Sequence, residues 1–259
     1  MNIIVCMKRI PDTSAVGHLT IDASGLDIDK SILGFKINEW DEYALEEAVQ
    51  VKKKLGGDIT AVTIGTETAD DMLRRALALG ADRALRIDED MTLDDSSMVA
   101  RVVVAVLNSM PYDLILFGMQ SEDFGSAQLG VMVAEMLDIP HAVGIVKLEP
   151  QSEDCEVWRE LEGGAREVYR MTLPAVLTIQ TGINHPRYPS YLNIRKAKQK
   201  ELKIVTLSDM GISKEELNPT VKLHPLEYRQ TGKRGEILSG STDETAAKVA
   251  TVLQDAGVV

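Results

Sequence analysis

One segment of the chain combines the residue types that proteins use to hold a phosphate group. It runs from Gly118 to Gln128 as Gly-Met-Gln-Ser-Glu-Asp-Phe-Gly-Ser-Ala-Gln, with two glycines and two serine hydroxyls. An apolar run that predicts a strand precedes it, and a run that predicts a helix follows it. Free amide groups and the helix dipole favour a bound anion at such a helix start. The alternative is an ordinary strand-to-helix turn capped by a serine.

The signatures of the common nucleotide enzymes are missing from the positions where they would stand. No G-x-G-x-x-G follows the first apolar run, because Lys8-Arg9-Ile10-Pro11-Asp12 occupies that place. The sequence also has no G-x-x-x-x-G-K-S/T motif. Both absences disfavour a dinucleotide dehydrogenase and a P-loop NTPase. An ATP-dependent α/β enzyme that uses the same sheet edge stays open as an alternative.

The other residues with reactive or metal-binding side chains are dispersed. No metal site and no catalytic triad is expected from the four histidines, His18, His141, His185 and His224. Cys6 is better explained as a small buried hydrophobe than as a nucleophile. Trp40 would either pack on the helix that follows it or form a wall for an aromatic cofactor. Three aspartates could converge at one sheet edge, although helix capping is their ordinary role: Asp12, Asp41 and Asp123.

Apolar runs that predict strands alternate with helical patterns over residues 1–150, and this order predicts a parallel sheet. The predicted strands are Ile3–Met7, Ile59–Ile64, Ala84–Ile87, Leu114–Phe117 and Ala142–Val146. Periodic apolar faces between them predict helices at Asp41–Leu55, Thr68–Leu79, Asp95–Met110 and Ala127–Leu137. This alternation implies right-handed crossovers and a sheet covered on both faces. Ligands of such sheets bind beyond the carboxyl ends of the strands, where the 118–128 segment would lie.

The pattern changes after residue 150. An antiparallel hairpin is predicted at about 156–171, because two alternating runs flank Gly163 and Gly164. Ala175–Ile179 predicts a strand that returns to the sheet. Residues 218–242 are polar and aperiodic, which is typical of an arm that lies across another surface. The last predicted helix is Glu244–Leu253.

We therefore expect an α/β protein with a Rossmann-like parallel sheet flanked by helices, an antiparallel hairpin and an extended C-terminal arm. The expected division is a nucleotide-binding domain over 1–217 and an arm with its helix over 218–259. Between the hairpin and the arm lie a proline-rich loop, Asn184–Ser190, and a basic run, Arg195–Lys203. That run is either a solvated helix face or a docking surface for an acidic partner.

Composition narrows the classes of function. The chain has 259 residues, 44% of them hydrophobic, and a net charge of −12. This acidic balance argues against binding of nucleic acid or an anionic membrane through bulk charge. The longest apolar run, Val102–Leu107, is far shorter than the roughly 18 residues of a membrane span. The N-terminal residues do not have a signal-peptide pattern, so we expect a cytoplasmic protein. The two cysteines, 149 positions apart, give no disulfide framework.

Six segments together resemble the β subunits of electron-transfer flavoproteins, over essentially the whole chain. They are Val5–Arg9, Asn38–Ala48, Ala76–Arg83, Gly118–Gln128, Leu173–Thr178 and Pro186–Lys198. Within the family, Asn38–Asp41, Arg159–Gly164 and the start of the 118–128 segment look most like the bacterial branch that serves amine dehydrogenases. The resemblance implies an electron carrier, not an enzyme. Such a carrier accepts electrons from flavoprotein dehydrogenases and passes them towards a quinone oxidoreductase.

The resemblance also implies an obligate α subunit that holds most of the redox-active FAD. Thr13 and Trp40 align with the residues that lie near the flavin ring in the family. Trp40 preserves the aromatic character of its position, whereas Thr13 replaces a common tyrosine. Residues 218–259 would lie along the α subunit.

A structural AMP is the second implied cofactor, and this chain would bury it. The positions that align with its site are Cys6, Asn38, Ile64, Gly118, Ser121, Asp123, Gly125, Ser126, Ala127, Gln128 and Leu129, with the phosphate at the last four. Electron-bifurcating relatives hold a second FAD there, and their loop reads Gly-Arg-Gln-Ala-Ile-Asp-Gly-Asp. Met119 stands in place of that arginine, which removes a charge-assisted partner for the additional phosphate. The sequence favours AMP, with the second FAD as the alternative.

The family docks its dehydrogenases through a recognition loop, which aligns with residues 184–200. An apolar anchor at its centre aligns with Tyr191, beside Leu192 and near Ile194. An exposed anchor next to mobile charges suits a weak contact that exchanges quickly.

Overall fold

The computed structural model describes residues 1–91, 95–217, 219–228 and 235–258. These residues form two units, Met1–His224 and Pro225–Val259. The strands are β1 (Asn2–Cys6), β2 (Arg9–Asp12), β3 (Gly34–Ile37), β4 (Asp58–Ile64), β5 (Arg83–Ile87), β6 (Leu114–Gly118), β7 (His141–Pro150), β8 (Asp154–Glu160), β9 (Arg166–Thr172), β10 (Ala175–Ile179) and β11 (Leu202–Val205). The α-helices are α1 (Glu39–Leu55), α2 (Asp70–Leu79), α3 (Ser96–Leu107), α4 (Leu129–Leu137), α5 (Tyr191–Ala197) and α6 (Thr242–Asp255).

A nine-stranded sheet forms the centre of the first unit, in the order β11-β5-β4-β1-β6-β10-β7-β8-β9. Its first seven strands in that order pair in parallel, and β8 and β9 extend it as an antiparallel hairpin. A separate antiparallel ribbon joins β2 to β3. The predicted fold class and the hairpin are thus confirmed.

Alternate side chains of each central strand enter two different cores. Ile3 and Val5 of β1 pack with α1 and α2 on one face of the sheet. Ile4 and Cys6 pack with α3 and α4 on the other face. Coverage on both faces explains why the strands read as continuous apolar runs rather than as alternating ones.

The direction of sheet growth reverses at β1. The chain first adds β4 and β5 on one side of β1, and after α3 it adds β6 on the other side. Such a switch point separates the crossover connections and opens a crevice at the carboxyl ends of the two central strands. The fold therefore brings the segments after β1, β4 and β6 to one place.

Some local predictions were wrong. The helix predicted from Thr68 begins at Asp70, after a 3₁₀ turn, and has no side-chain cap. The basic run 195–203 is not one helix face, since α5 ends at Ala197 and β11 begins at Leu202.

The second unit contains α6, which confirms the predicted C-terminal helix. A capping box begins the helix, with Ser241 Oγ accepting from the Glu244 amide and Glu244 accepting from the Ser241 amide. None of the α6 residues is buried, and Val249, Val252 and Leu253 are exposed. Packing of this arm on an α subunit stays a prediction.

Candidate functional site

A cavity of about 310 Å³ opens at the carboxyl ends of β1, β4 and β6. Its apolar walls include Val62, Val99, Val103 and Phe117. Nine residues of the site predicted from the sequence line it: Cys6, Asn38, Ile64, Gly118, Ser121, Ser126, Ala127, Gln128 and Leu129. The switch point of the sheet thus brings together residues that lie more than a hundred positions apart in the chain.

Asp123 and Gly125 belong to the predicted set but do not line the cavity. Asp123 instead forms an ion pair with Lys8, whose ammonium nitrogen lies 2.7 Å from Asp123 Oδ2. The same ammonium lies 4.6 Å from the centre of the Phe124 ring. Asp123 therefore fastens the loop to the segment that follows β1. Because its carboxylate is paired with Lys8, it does not face the cavity.

Asn38 uses both ends of its side-chain amide to hold the loop. Its nitrogen donates to the Gln120 carbonyl at 2.8 Å, and its oxygen accepts from the Glu122 amide at 3.1 Å. Lys36 of β3 adds an ion pair to Glu122 at 2.8 Å. These contacts anchor residues 120–122, and residues 126–130 further along the chain line the cavity.

The residues before α4 form an array of amides without a side-chain cap. Gly125 and Ala127 have positive φ angles of 62° and 52°, and Gln128 returns to the right-handed region. Successive amides in such alternating conformations form a concave anion site. The predicted helix start at Ala127 was wrong, because its φ angle delays the helix until Leu129. The serine-capped alternative also fails, since no side chain caps α4.

Ala127 is a strained residue at this place. A residue with a Cβ atom in the left-handed region costs about 1–2 kcal/mol. Backbone strain of this kind concentrates at functional sites, where it is part of the binding geometry. The strain and the amide array thus both indicate that this loop binds an anion.

One of the three singled-out aspartates, Asp41, lines the cavity. Asp41 is buried, and its carboxylate accepts from the amides of Lys8 at 2.7 Å and Gly118 at 3.0 Å. Burial raises the pKa of Asp41 to about 7, against the opposing effect of these hydrogen bonds. Asp12 lies outside the cavity lining, and its carboxylate accepts from the amide and hydroxyl of Ser14.

Cys6 is a wall residue, as expected. Burial raises the pKa of its thiol, and the neighbouring Asp41 carboxylate adds to the shift. A thiol in this state does not supply the thiolate that a nucleophile needs.

Four residues that sequence reasoning missed also line the cavity: Met91, Asp95, Val221 and Leu223. Asp95 caps α3 by accepting from the amides of Ser97 and Met98 with Oδ1. Its other oxygen accepts from the amides of Thr220 and Val221, so one carboxylate joins α3 to a distant segment. The capping pattern was visible in the sequence, whereas the second contact depends on the fold.

Trp40 and Thr13 lie outside the cavity lining. Trp40 is half-buried in the first turn of α1, and its indole nitrogen donates to Gln180 at 2.9 Å. Thr13 is exposed directly after β2. Trp40 therefore has a fixed orientation, and the closeness of either residue to a flavin stays a prediction.

The predicted docking residues are exposed on α5, a helix within the expected recognition loop. Tyr191 is 80% exposed and Leu192 is 65% exposed, and Ile194 is also exposed. The base of this segment is fixed on one side by two Arg187–Glu46 contacts of 2.6 and 2.7 Å. On the other side, Arg74 donates to the Ala197 carbonyl at 2.9 Å.

The Arg187–Glu46 pair is strong for a partly exposed contact. Burial raises the pKa of Glu46, but the hydrogen bonds and the charge of Arg187, together with a hydrogen bond from Gln50, hold this pKa below its usual value. A fork of two parallel bonds also fixes the angle between the groups. The segment therefore presents apolar side chains on an immobilised base.

Neither a metal site nor a membrane span is apparent in the part of the chain that the structure describes. Over these residues, no group of three His, Cys, Asp or Glu residues has an arrangement that could hold a metal ion. Within the same ranges, no helix combines the length and apolar character needed to cross a bilayer.

Comparisons with known proteins agree with the fold and with the sequence resemblance. The model of the electron transfer flavoprotein domain matches residues 26–210. Electron transfer flavoprotein subunit beta of Bacillus subtilis is 38% identical over 256 residues, which cover 98% of each chain. The subunit of the same name is 33% identical in Methylophilus methylotrophus, over 98% of each chain, and 32% identical in Mus musculus, over 95%. This chain therefore belongs to the family of electron transfer flavoprotein β subunits.

Proposed function

We propose that this chain works as an electron carrier subunit with an α partner and binds AMP in the cavity at the switch point. The carrier would accept electrons from flavoprotein dehydrogenases and pass them towards a quinone oxidoreductase. The observation that carries the nucleotide assignment is the uncapped amide array at Ser126–Leu129, which opens on a cavity with apolar walls.

The chemistry of this cavity suits a nucleoside monophosphate. Its apolar walls can enclose a planar base, and backbone amides can receive one phosphate, with Lys8 and Arg9 also in the lining. Met119 lines the cavity where bifurcating relatives have an arginine. A second FAD would bring another phosphate to a wall without that guanidinium, so AMP is the better fit.

FAD, held mostly by the α subunit, supplies the electron exchange when it is bound. The contribution of this chain is to position and to shield. Trp40 offers a fixed aromatic surface through its bond to Gln180. AMP would fill the crevice and stabilise the loop beside that surface. No residue of this chain is assigned a bond-making step.

Docking of the electron donor is assigned to α5. Tyr191 and Leu192 form its apolar tip, and Ile194 extends the contact. Lysine and arginine side chains follow at Arg195, Lys196 and Lys198. An apolar anchor beside positive charges fits a dehydrogenase with an apolar pocket and an acidic rim. Whether the donor belongs to the amine-dehydrogenase branch stays a prediction.

The nucleotide content of the complex tests this proposal. The chain is purified with its α subunit, denatured, and the released nucleotides are quantified by chromatography. FAD and AMP in equal amounts are expected. Two FAD per complex without AMP would replace the proposal with a bifurcating carrier. Turnover of ATP by the complex would favour the ATP-dependent enzyme, and absence of any nucleotide would contradict the cavity assignment.

A further inference from the structure

The two central strands separate at the cavity. β1 and β6 pair in register only up to Cys6 and Phe117. Beyond that point, the Met7 amide donates to Val62 of β4 at 2.8 Å. The Met119 amide donates to Ile179 of β10 at 2.9 Å. Each strand thus continues with its outer neighbour, and the next inward-facing amides, those of Lys8 and Gly118, have lost their strand partner.

Asp41 fills the resulting gap from the first turn of α1. One carboxylate oxygen accepts from the Lys8 amide at 2.7 Å, and the other accepts from the Gly118 amide at 3.0 Å. The residue is only 5% exposed. A single buried carboxylate therefore bridges two strand ends that no longer bond to each other.

The sequence around this bridge is adapted to it. Gly118 allows α1 to approach, because a Cβ atom there would lie 2.4 Å from Asp41 Oδ1 and 2.6 Å from Trp40 Cβ. The helix N-terminus favours a carboxylate at this position. Two charge-assisted hydrogen bonds offset part of the cost of its burial.

We propose that Asp41 is a positioning residue that holds the crevice between β1 and β6 open for the nucleotide. The residues beside its two amide partners line the cavity, including Met7, Phe117 and Met119. Loss of one acceptor would leave a buried amide unpaired and let the strand ends shift. The inference rests on the proposed nucleotide site, to which it adds the group that keeps that site open.

Only the ionised carboxylate can accept from both amides with both oxygens. The charged or titratable groups against Asp41 are the Lys8 ammonium and the Cys6 thiol from the β1 side, with Asp123 of the β6 loop beyond Lys8. Since the pKa of Asp41 is raised to about 7, we expect the bridge to weaken as the pH falls through that value. Nucleotide affinity should fall with it.

The test compares Asp41→Asn with Glu42→Gln in the complex with the α subunit. Both variants remove one acidic group from the first turn of α1, but Glu42 pairs with Arg75 on the surface rather than with the strand ends. AMP affinity is measured on nucleotide-stripped complex at several pH values around 7. Asp41→Asn should weaken AMP binding by about ten-fold or more, because its amide nitrogen faces one of the two donors.

The pH profile separates positioning from a loss of general stability. AMP affinity of the wild-type and Glu42→Gln complexes should drop below about pH 7, in excess of the titration of the phosphate itself. Asp41→Asn should retain only the phosphate titration. Equal affinities and equal profiles in all three proteins would overturn the inference. The wild-type profile decides the matter even where a variant does not fold.

Amide hydrogen exchange makes the inference independent of the nucleotide assignment. The Lys8 and Gly118 amides should be protected in the wild-type complex and should lose protection in Asp41→Asn. If the wild type binds no AMP but this protection pattern is found, the nucleotide assignment fails and the bridge stands. Unchanged protection in Asp41→Asn would reject the bridge whatever the nucleotide content.

Discussion

The crevice at the switch point and the surface of α5 are built in opposite ways. In the crevice, polar side chains such as Asn38 and Asp41 bond to the protein itself, and the backbone amides of residues 126–129 are left for a ligand. On α5, the backbone is immobilised through Arg187 and Arg74, and the side chains of Tyr191 and Leu192 are left without cover. Ligand recognition therefore depends on the backbone in one region and on side chains in the other.

This contrast makes different substitutions informative in each region. A change that removes an amide should harm the crevice more than a change that removes a side chain. On α5 the order should be reversed. The following predictions test that reversal, beginning with the largest effect.

Ser126→Pro should abolish nucleotide binding, with an affinity loss of about a hundred-fold or more. Proline removes the first amide of the array, and its ring disfavours the left-handed conformation of Gly125. Ser126→Ala keeps the amide and should bind AMP as the wild type does. The measurement is AMP per complex after gel filtration. Full occupancy in the proline variant would show that the phosphate lies elsewhere.

The double substitution Tyr191→Ala with Leu192→Ala should slow electron acceptance from the dehydrogenase by about ten- to a hundred-fold. These side chains make the exposed tip, and their removal leaves the backbone of α5 in place. Stopped-flow flavin reduction measures the rate. FAD and AMP contents should remain those of the wild type, whereas a loss of either cofactor would show that the segment is structural. Val168→Ala, at another exposed apolar residue, is the matched control.

Arg187→Gln should reduce docking by a smaller factor, about three- to ten-fold, because it loosens the base of α5 but spares the tip. The pair is partly exposed, so its loss should cost only about 1 kcal/mol of stability. A double-mutant cycle with Glu46→Gln should show coupling between the two residues. Additive effects of the two substitutions would argue that the base does not orient the tip.

Ala127→Gly should have the smallest effect, a stabilisation of less than about 1 kcal/mol in the nucleotide-free protein. The glycine relieves strain at a φ angle of 52°, but it also gains freedom in the unfolded chain. Thermal unfolding of the complex measures the change. A clear loss of stability would mean that the Ala127 methyl group packs favourably, and that the array is not a strained feature.

The sheet was predictable because both its faces are covered. Burial on two sides makes β1, β4 and β6 nearly pure apolar runs, and their carboxyl ends then indicate where Cys6, Ile64 and Gly118 must meet. The ribbon of β2 and β3 was missed because Pro11 and the exposed Phe35 do not form such a run. Strand β11 was missed as well. It lies at a sheet edge next to a basic run, so its residues do not form a long apolar pattern.

The contacts within the site were less predictable than its location. Asn38 and Asp123 were expected as ligand residues, and the structure uses their side chains to hold the loop. The positive φ angle of Ala127 has no counterpart in the residue type, since alanine is a good helix former. The bridge by Asp41 depends on where two strands part, which no local pattern of residues records.

The dual role of Asp95 has a consequence for the order of events during biogenesis. Its carboxylate ties Thr220 and Val221 to the start of α3, and Val221 and Leu223 complete the cavity wall just before the second unit begins. We expect a nucleotide to enter more easily before this contact between Asp95 and residues 220–221 has formed. After Asp95 has bonded to Thr220 and Val221, release of the nucleotide should require this wall of the cavity to open. We therefore expect nucleotide occupancy of the cavity to be set while the protein folds and assembles. It should then change only slowly when the nucleotide concentration changes.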